Sequence, residues 1–298
     1  MNLGRQIYSK FAIFTTMKLT MIKLLALLLP AAAAYGQDSL LAVFWNLENF
    51  FDYRSEAAQE YWTRGRFYSK CDAVAKTLML VADRHGRFPD IVGFAEIENA
   101  FVLRSIVSST LLRKAGYGIV HYDSPDHRGI DCGLLYRRQS LELTGSSPIH
   151  VHDSSGAVMA TRDILLAEFD GLAVLVNHHP SKIGGKADRR EAAMRRMLET
   201  ADSLLSAGHE RILAIGDFND ELWPPDGAGT LKYNGRWEKI DGFFSFGDFE
   251  IREEVFVHPL LLTEDKAFGG MKPRRCFVGP RYEGGVSDHL PIILEILL

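Results

Sequence analysis

The segment Asp217-Phe218-Asn219-Asp220 sets two carboxylates and an amide within four residues, directly after the apolar run 212–215 and Gly216. Oxygen donors of this kind suit a hard divalent cation, and the same groups can orient a water molecule. An Asx-rich turn closing a strand, with Gly216 at an unusual backbone angle, would use the same residues. Taken alone, the segment leaves both readings open. The event recurs, however. Asn46 follows the apolar run 40–45, Glu96 follows 91–95 and His178 follows 172–176. Asp241 lies beside another apolar stretch, and Asp288-His289 precede the last one. Six such clusters predict one polar rim, because strand ends of a rigid sheet are where side chains can be held for chemistry.

The elements that must position this rim follow from periodicity. Short apolar runs at 40–45, 91–95, 172–176 and 212–215 read as buried strands. Apolar positions at helical spacing predict helices over 66–85, 101–115 and about 187–206, the second ended by Gly116 and the third by Gly208. The segment 141–176 reads as a meander, with Asp170-Gly171 as its tight turn. Helices and strands alternate early and strands crowd later, which fits a mixed-sheet α/β sandwich.

The chain has 298 residues, 47% hydrophobic and 24% charged, with no repeat or linker that would divide it. Residues 1–36 read as a signal peptide: Lys18 and Lys23 precede the apolar run 24–34, and Ala34-Tyr35-Gly36 offers small residues for cleavage. That run is too short to span a bilayer, so no stable membrane insertion is expected after cleavage, and a periplasmic or extracellular location is. Residues 37–298 then form one domain. Loss of Arg5, Lys10, Lys18 and Lys23 takes the formal charge from −4 to −8, which makes the chain a poor non-specific nucleic-acid binder on charge alone, an effect that a site loading divalent cations partly reverses locally. Cys71, Cys132 and Cys276 exclude a disulfide scaffold.

The ordered set of motifs resembles the endonuclease/exonuclease/phosphatase superfamily, whose members include deoxyribonuclease I. The matching segments are Trp45-Asn46-Leu47-Glu48-Asn49, Phe94-Ala95-Glu96-Ile97-Glu98-Asn99 and Thr161-Arg162-Asp163. They continue with Val176-Asn177-His178-His179-Pro180-Ser181, Gly216-Asp217-Phe218-Asn219-Asp220, Trp237-Glu238-Lys239-Ile240-Asp241 and Ser287-Asp288-His289-Leu290-Pro291. The resemblance implies a four-layer α/β sandwich, two packed mixed β-sheets flanked by helices. It implies hydrolysis of a phosphate ester by activated water with Mg²⁺ or Mn²⁺. Glu96 would hold the metal, with Asn46 and Asp288 beside it. Asp217 and Asn219 match the pair that orients water and a phosphate oxygen. His289 matches the histidine at the scissile phosphate, Asp241 the acid that orients it, and His178 a second histidine at the phosphate.

Arg162 matches a phosphate-contacting arginine. Of the basic cluster after His178, Lys182 and Arg190 lie near enough in sequence to reach a substrate phosphate. Glu98 is either a second metal carboxylate or a surface acid beyond the strand, and Asp131 either orients His178 or pairs with Arg128. Trp237 reads as core. The expected activity is a DNase I-like endonuclease acting on nucleic acid. A phosphatase or a sphingomyelinase-like phosphodiesterase would use the same site, with Trp223 and Phe243-Phe244 as candidate lipid contacts. A binding module with a dead site conflicts with the intact set of Glu96, Asp217, Asn219, Asp241, Asp288 and His289.

Overall fold

In a computed structural model the described residues are 39–58, 62–182, 187–221 and 229–298. The segment 1–36 and Trp223 lie outside them. Residues Ser39–Leu298 form one compact unit.

The first half alternates strand and helix. β1 (Ser39–Phe50) leads to α1 (Arg64–His85), β2 (Ile91–Ile97) and α2 (Ala100–Ser108). β3 (Tyr117–His121), β4 (Asp131–Arg137), β5 (Leu143–Ile149), β6 (Ile164–Phe169) and β7 (Leu172–His178) form the expected run of strands. α3 (Ala187–Ser206) and β8 (Arg211–Asp217) follow. The last third is mostly strand, with a 3₁₀ turn at Pro259–Leu261: β9 (Leu231–Tyr233), β10 (Arg236–Glu238), β11 (Asp241–Gly247), β12 (Glu250–Val255) and β13 (Leu262–Glu264). It ends with β14 (Met271–Pro273), β15 (Phe277–Val278), β16 (Arg281–Tyr282) and β17 (Ile292–Leu297).

Two mixed sheets result. One has the order β12-β17-β1-β2-β4-β3 and the other β11-β8-β7-β6-β5. In each, the central pair is parallel, β1 with β2 and β7 with β8, and the remaining pairs are antiparallel. The inner strands β1, β2, β7 and β8 are buried on both faces, which explains their near-continuous apolar runs. Leu40, Ala42 and Phe44 of β1 face Val174, Val176, Leu213 and Ile215 between the sheets. Leu41, Val43 and Trp45 point the other way, onto Phe67, Val74 and Leu78 of α1 and Ile106 of α2. Ala173, Leu175, Ile212 and Ala214 pack on Met197, Ala201 and Leu204 of α3. The layering is helix, sheet, sheet, helix, as the resemblance implied. The sheets approach closely at Gly93, where a Cβ would stand 2.8 Å from the Ile215 side chain.

Three expectations are corrected. The helix expected over 101–115 ends at Ser108, and a separate 3₁₀ turn covers Leu111–Lys114. Ser109 and Thr110 return their hydroxyls to the carbonyls of Ser105 and Ile106, and Thr110 then caps Leu112, a local competition that breaks a helix. Gly216 has no left-handed angle. It is glycine because a Cβ there would stand 2.5 Å from the Asn177 carbonyl oxygen. Asp131 meets neither His178 nor Arg128; its carboxylate accepts from Ser124 and faces His121 at 3.3 Å.

Candidate active site

Parallel pairing puts the C-terminal ends of β1, β2, β7 and β8 at one rim. Asp217 at the end of β8 is the antiparallel partner of Asp241 at the start of β11, and Asn46 is the neighbour of Ala95 in β2. The 287–290 segment, which leads into β17, is tied to the same rim. The Ser287 hydroxyl donates to the Asn46 carbonyl and accepts from the His289 amide, while the Trp45 indole donates to the His289 carbonyl. Leu290 N–H bonds to the Thr230 carbonyl.

The backbone is strained at this rim and almost nowhere else. Of the five non-glycine residues with positive φ among those described, Glu48, Asn49, Glu96 and Asn219 are here. Such angles cost energy and persist where surrounding bonds enforce them. The enforcing bonds are visible. β1 slips register against β2 between Asn46 and Phe50. The buried ammonium of Lys70, on α1, donates to the carbonyls of Leu47 and Glu48 at 2.5 and 3.0 Å and lies over the Phe50 and Trp62 rings. Burial lowers its pKa, against the pull of Glu48 and Cys276.

Asp217 sits at the centre and is 2% exposed. Its Oδ2 accepts from the Asn46 amide at 3.0 Å and lies 3.7 Å from His178 Nε2 and 3.9 Å from His289 Nε2. Its Oδ1 accepts from the Asn219 amide N–H, and the Asn219 side chain donates to the His179 carbonyl. Burial, then the charge of Asp241, pushes the Asp217 carboxyl up to about 7. His289 Nδ1 is 2.8 Å from Asp241 Oδ2. Burial alone would discharge this ring. The Asp241 carboxylate outweighs it, with Asp217 and Asp288 beyond, and the His289 pKa lies well above the ordinary histidine value. His178 is the opposite case: burial, Arg162 and Arg128 hold it well below that value, so its imidazole is neutral.

A second cluster is carboxylic. Glu96 Oε2 accepts from the Asn49 amide at 2.8 Å, and Oε1 lies 3.6 Å from His178 and 3.8 Å from Arg128. Glu48 is buried, and Arg275 bridges it to Asp288 at 2.5 and 3.2 Å. Burial and Asp288 push the Glu48 carboxyl up to about 7 against the pull of Arg275. Glu48 Oε2 is buried without a hydrogen-bond partner. Asn46 donates through its amide to Asp217 and accepts at its oxygen from the Glu48 N–H.

These groups open into a cavity of about 750 Å³ lined by Glu96, Arg128, Arg162, His178, Asp217, Asn219, Asp288 and His289, among others. Arg162 donates to Asp126 and to the His179 carbonyl. Lys182 pairs with Glu238, and Arg190 donates to the Ser181 carbonyl. Neither Lys182 nor Arg190 is among the residues lining the cavity. Glu98 turns away and clamps the 52–55 turn through Asp52 N–H and the Ser55 hydroxyl. Trp237 packs at the edge of the core.

Sequence reasoning missed Glu48, Lys70, Arg128 and Arg275. Glu48 was visible within the first motif; the others carry no local signal.

The model of the Endonuclease/Exonuclease/phosphatase family matches residues 41–236. The chain belongs to that family. Its members are phosphoester hydrolases that use divalent metals. Solved structures of the same fold include a mannosyl-6-phosphatase from Bacteroides thetaiotaomicron, with 17% identity and a TM-score of 0.57 over 87% of this chain and all of that one. TDP2 from Caenorhabditis elegans aligns with 14% identity and a TM-score of 0.55, over 87% of this chain and 74% of that one. The human Nocturnin catalytic domain aligns with 16% identity and a TM-score of 0.53, over 87% and 94%. No curated protein sequence matches the chain.

Proposed function

We propose that the protein is a Mg²⁺- or Mn²⁺-dependent phosphodiester hydrolase of the nuclease kind. The observation that carries this reading is the buried Asp217, held by Asn46 and Asn219 between a neutral His178 and an Asp241-bound His289, at the base of a cavity edged by arginines. A divalent ion would displace Arg275 from Glu48 and Asp288, and the chemistry of the carboxylic cluster suits it on two grounds. Glu48, Glu96 and Asp288 offer hard oxygen donors and no thiolate, and the buried Glu48 Oε2 lacks a partner. Bound there, the ion would neutralise charge on the phosphate and polarise it for attack.

The chain's own groups account for the rest. Asp217 and Asn219 orient a water molecule toward phosphorus, and Asp217 receives its proton. His289, kept protonated by Asp241, donates to a non-bridging phosphate oxygen as charge builds there. The neutral His178 donates through Nε2–H at the same phosphate, with Arg162 and Arg128 beside it. The ester oxygen leaves with the electron pair of the broken P–O bond and takes a proton from solvent, to which Asp217 releases the proton it received. Phosphatase and sphingomyelinase-like activities would use the same groups, because the site acts on the phosphate. The Phe243-Phe244 pair is half-buried and packs inward on either side of its strand, which disfavours it as a lipid contact.

The test is turnover of bis(p-nitrophenyl) phosphate, plasmid DNA, RNA and sphingomyelin with Mg²⁺ and with EDTA. Turnover of the diester and of DNA should vanish in EDTA and return with Mg²⁺; full activity in chelator would sink the reading. The ion should also stabilise the fold in a pH-dependent way. Glu48 has a folded pKa near 7 against an ordinary value of 4.5. Between those values the folded state binds more protons than the unfolded state, so in EDTA this group lowers stability as pH rises to about 7. A cation relieves that repulsion only where the carboxyl is ionised. The Mg²⁺-induced rise in Tm should therefore be larger at pH 8 than at pH 5, and equal rises would contradict the assignment.

Lys70→Met tests the support beneath Glu48. It should weaken Mg²⁺ binding about 10-fold or more, as loss of a residue that orients a metal ligand does, measured by titration calorimetry. Unchanged affinity would show that the strand end keeps its shape without the ammonium.

A further inference from the structure

The cavity has a second half that the chemistry above does not use. Away from Asp217 and His289 it is walled by three short hairpins, β9–β10, β13–β14 and β15–β16. The latter two, residues 262–282, lie beyond the stretch that the family model matches. From these hairpins Lys232, Lys272, Arg274 and Arg281 face the cavity, against the carboxylates Glu264 and Glu283. An excess of positive charge in one concave wall of a net acidic chain is a local anion trap.

The wall is built rather than incidental. Asp265, 3% exposed, pairs with Lys232 at 3.0 Å and with Lys272 at 3.5 Å, and accepts from the amides of Ala267 and Phe268. That clamp ties the β13–β14 turn to β9. Lys232 is consumed by it, with a side chain only 5% exposed, whereas the Lys272 side chain remains 41% exposed. Lys272 and Arg274 are two residues apart and share one side of the chain. Arg274 is held by the Glu283 carbonyl at 2.7 Å. Arg281 pairs with Glu283 yet keeps three quarters of its side chain in solvent. Tyr233, half exposed, and Val278, the cross-strand partner of Arg281, add apolar surface between the cations. Arg275 separates this wall from the catalytic carboxylates by neutralising Glu48 and Asp288.

We propose that this half of the cavity is a subsite for a second phosphate group of the substrate, with the ring next to that phosphate seated against Tyr233. The substrate class is then a strand or nucleotide carrying at least two phosphates, rather than a zwitterionic lipid or a simple monoester. Arginine and lysine suit phosphate, and an exposed tyrosine face suits a nucleobase whatever its identity. This deepens the proposed function and rests on it for the position of the first phosphate.

The experiment is titration calorimetry in Mg²⁺ with thymidine 5′-phosphate, thymidine 3′-phosphate and thymidine 3′,5′-bisphosphate. The bisphosphate should bind about tenfold or more tightly than either monophosphate, the gain expected of one charge-assisted contact. In the Lys272→Gln/Arg281→Gln variant, checked for folding by thermal melt, that advantage should disappear. Equal affinities in the wild type, or an advantage that survives in the variant, would overturn the subsite. Failure of the catalytic reading shows separately, as absence of bis(p-nitrophenyl) phosphate turnover in Mg²⁺.

Discussion

Glu96→Gln is expected to leave a folded protein that hydrolyses bis(p-nitrophenyl) phosphate about 10³-fold or more slowly at any Mg²⁺ concentration, as removal of several kcal/mol of metal-derived stabilisation requires. The substitution keeps the shape of the side chain and can keep the bond from the Asn49 N–H, because an amide oxygen accepts as a carboxylate does. What it removes is the charge, and what it introduces is an NH₂ group facing His178 and Arg128, where Glu96 Oε1 now lies within 3.8 Å of both. The left-handed angle at residue 96 is held by the strand end and should survive. Measured rates across a Mg²⁺ titration, with thermal melts as control, decide the matter. If saturating Mg²⁺ restored more than a tenth of the wild-type rate, Glu96 would not be the principal metal carboxylate.

Much of this site is legible in the sequence because each of its central residues ends a run that reads as a buried strand. Asp217, Asn219, His178 and Glu96 are marked by the switch from apolar to polar, and topology then brings them together without further instruction. Asp241 and His289 were found through the order of the motifs, and they meet across 48 residues at 2.8 Å. Arg275 gives no such signal. It reaches Glu48 across 227 residues from a segment of two- and three-residue strands, too short for periodicity to register. Lys70 is invisible for another reason: in a helix rich in charge, a lysine on the buried side looks like any solvated one, and only the carbonyls of Leu47 and Glu48, at the left-handed turn through Glu48 and Asn49, explain it. Lys182 and Arg190 show the limit of reading proximity from sequence. Closeness in sequence to His178 suggested them for the substrate phosphate, and in the structure they engage Glu238 and Ser181. The helix expected to run to residue 115 failed because Ser109 and Thr110 offer the backbone an alternative that apolar spacing does not report.

The sharpest test of the catalytic reading is whether His289 and Asp241 act as one unit. The ring is 7% exposed and Asp241 1% exposed, so their contact is shielded from solvent and worth more than a surface pair. Asp241 fixes which nitrogen of His289 faces the cavity and keeps the ring charged. A charged donor at a developing phosphate charge is worth roughly 10²- to 10⁴-fold in rate, and His289→Ala should cost that much. Asp241→Asn should cost somewhat less, because the ring remains present but less firmly charged. Once the ring is gone, Asp241 has nothing left to orient, so the double variant should be hardly slower than His289→Ala alone. His178 stands apart. It is neutral, lies 3.7 Å from the same Asp217 oxygen and has no bond to Asp241, so His178→Ala should add its loss to that of His289→Ala. Stability could confuse the comparison, because Asp241→Asn also relieves the repulsion between two buried carboxylates that face each other across β8 and β11. Rates are therefore to be taken on folded protein at saturating Mg²⁺, well below each variant's Tm. Fully multiplicative losses for Asp241→Asn and His289→Ala would mean that the two residues act separately, and the pairing would have to be given up.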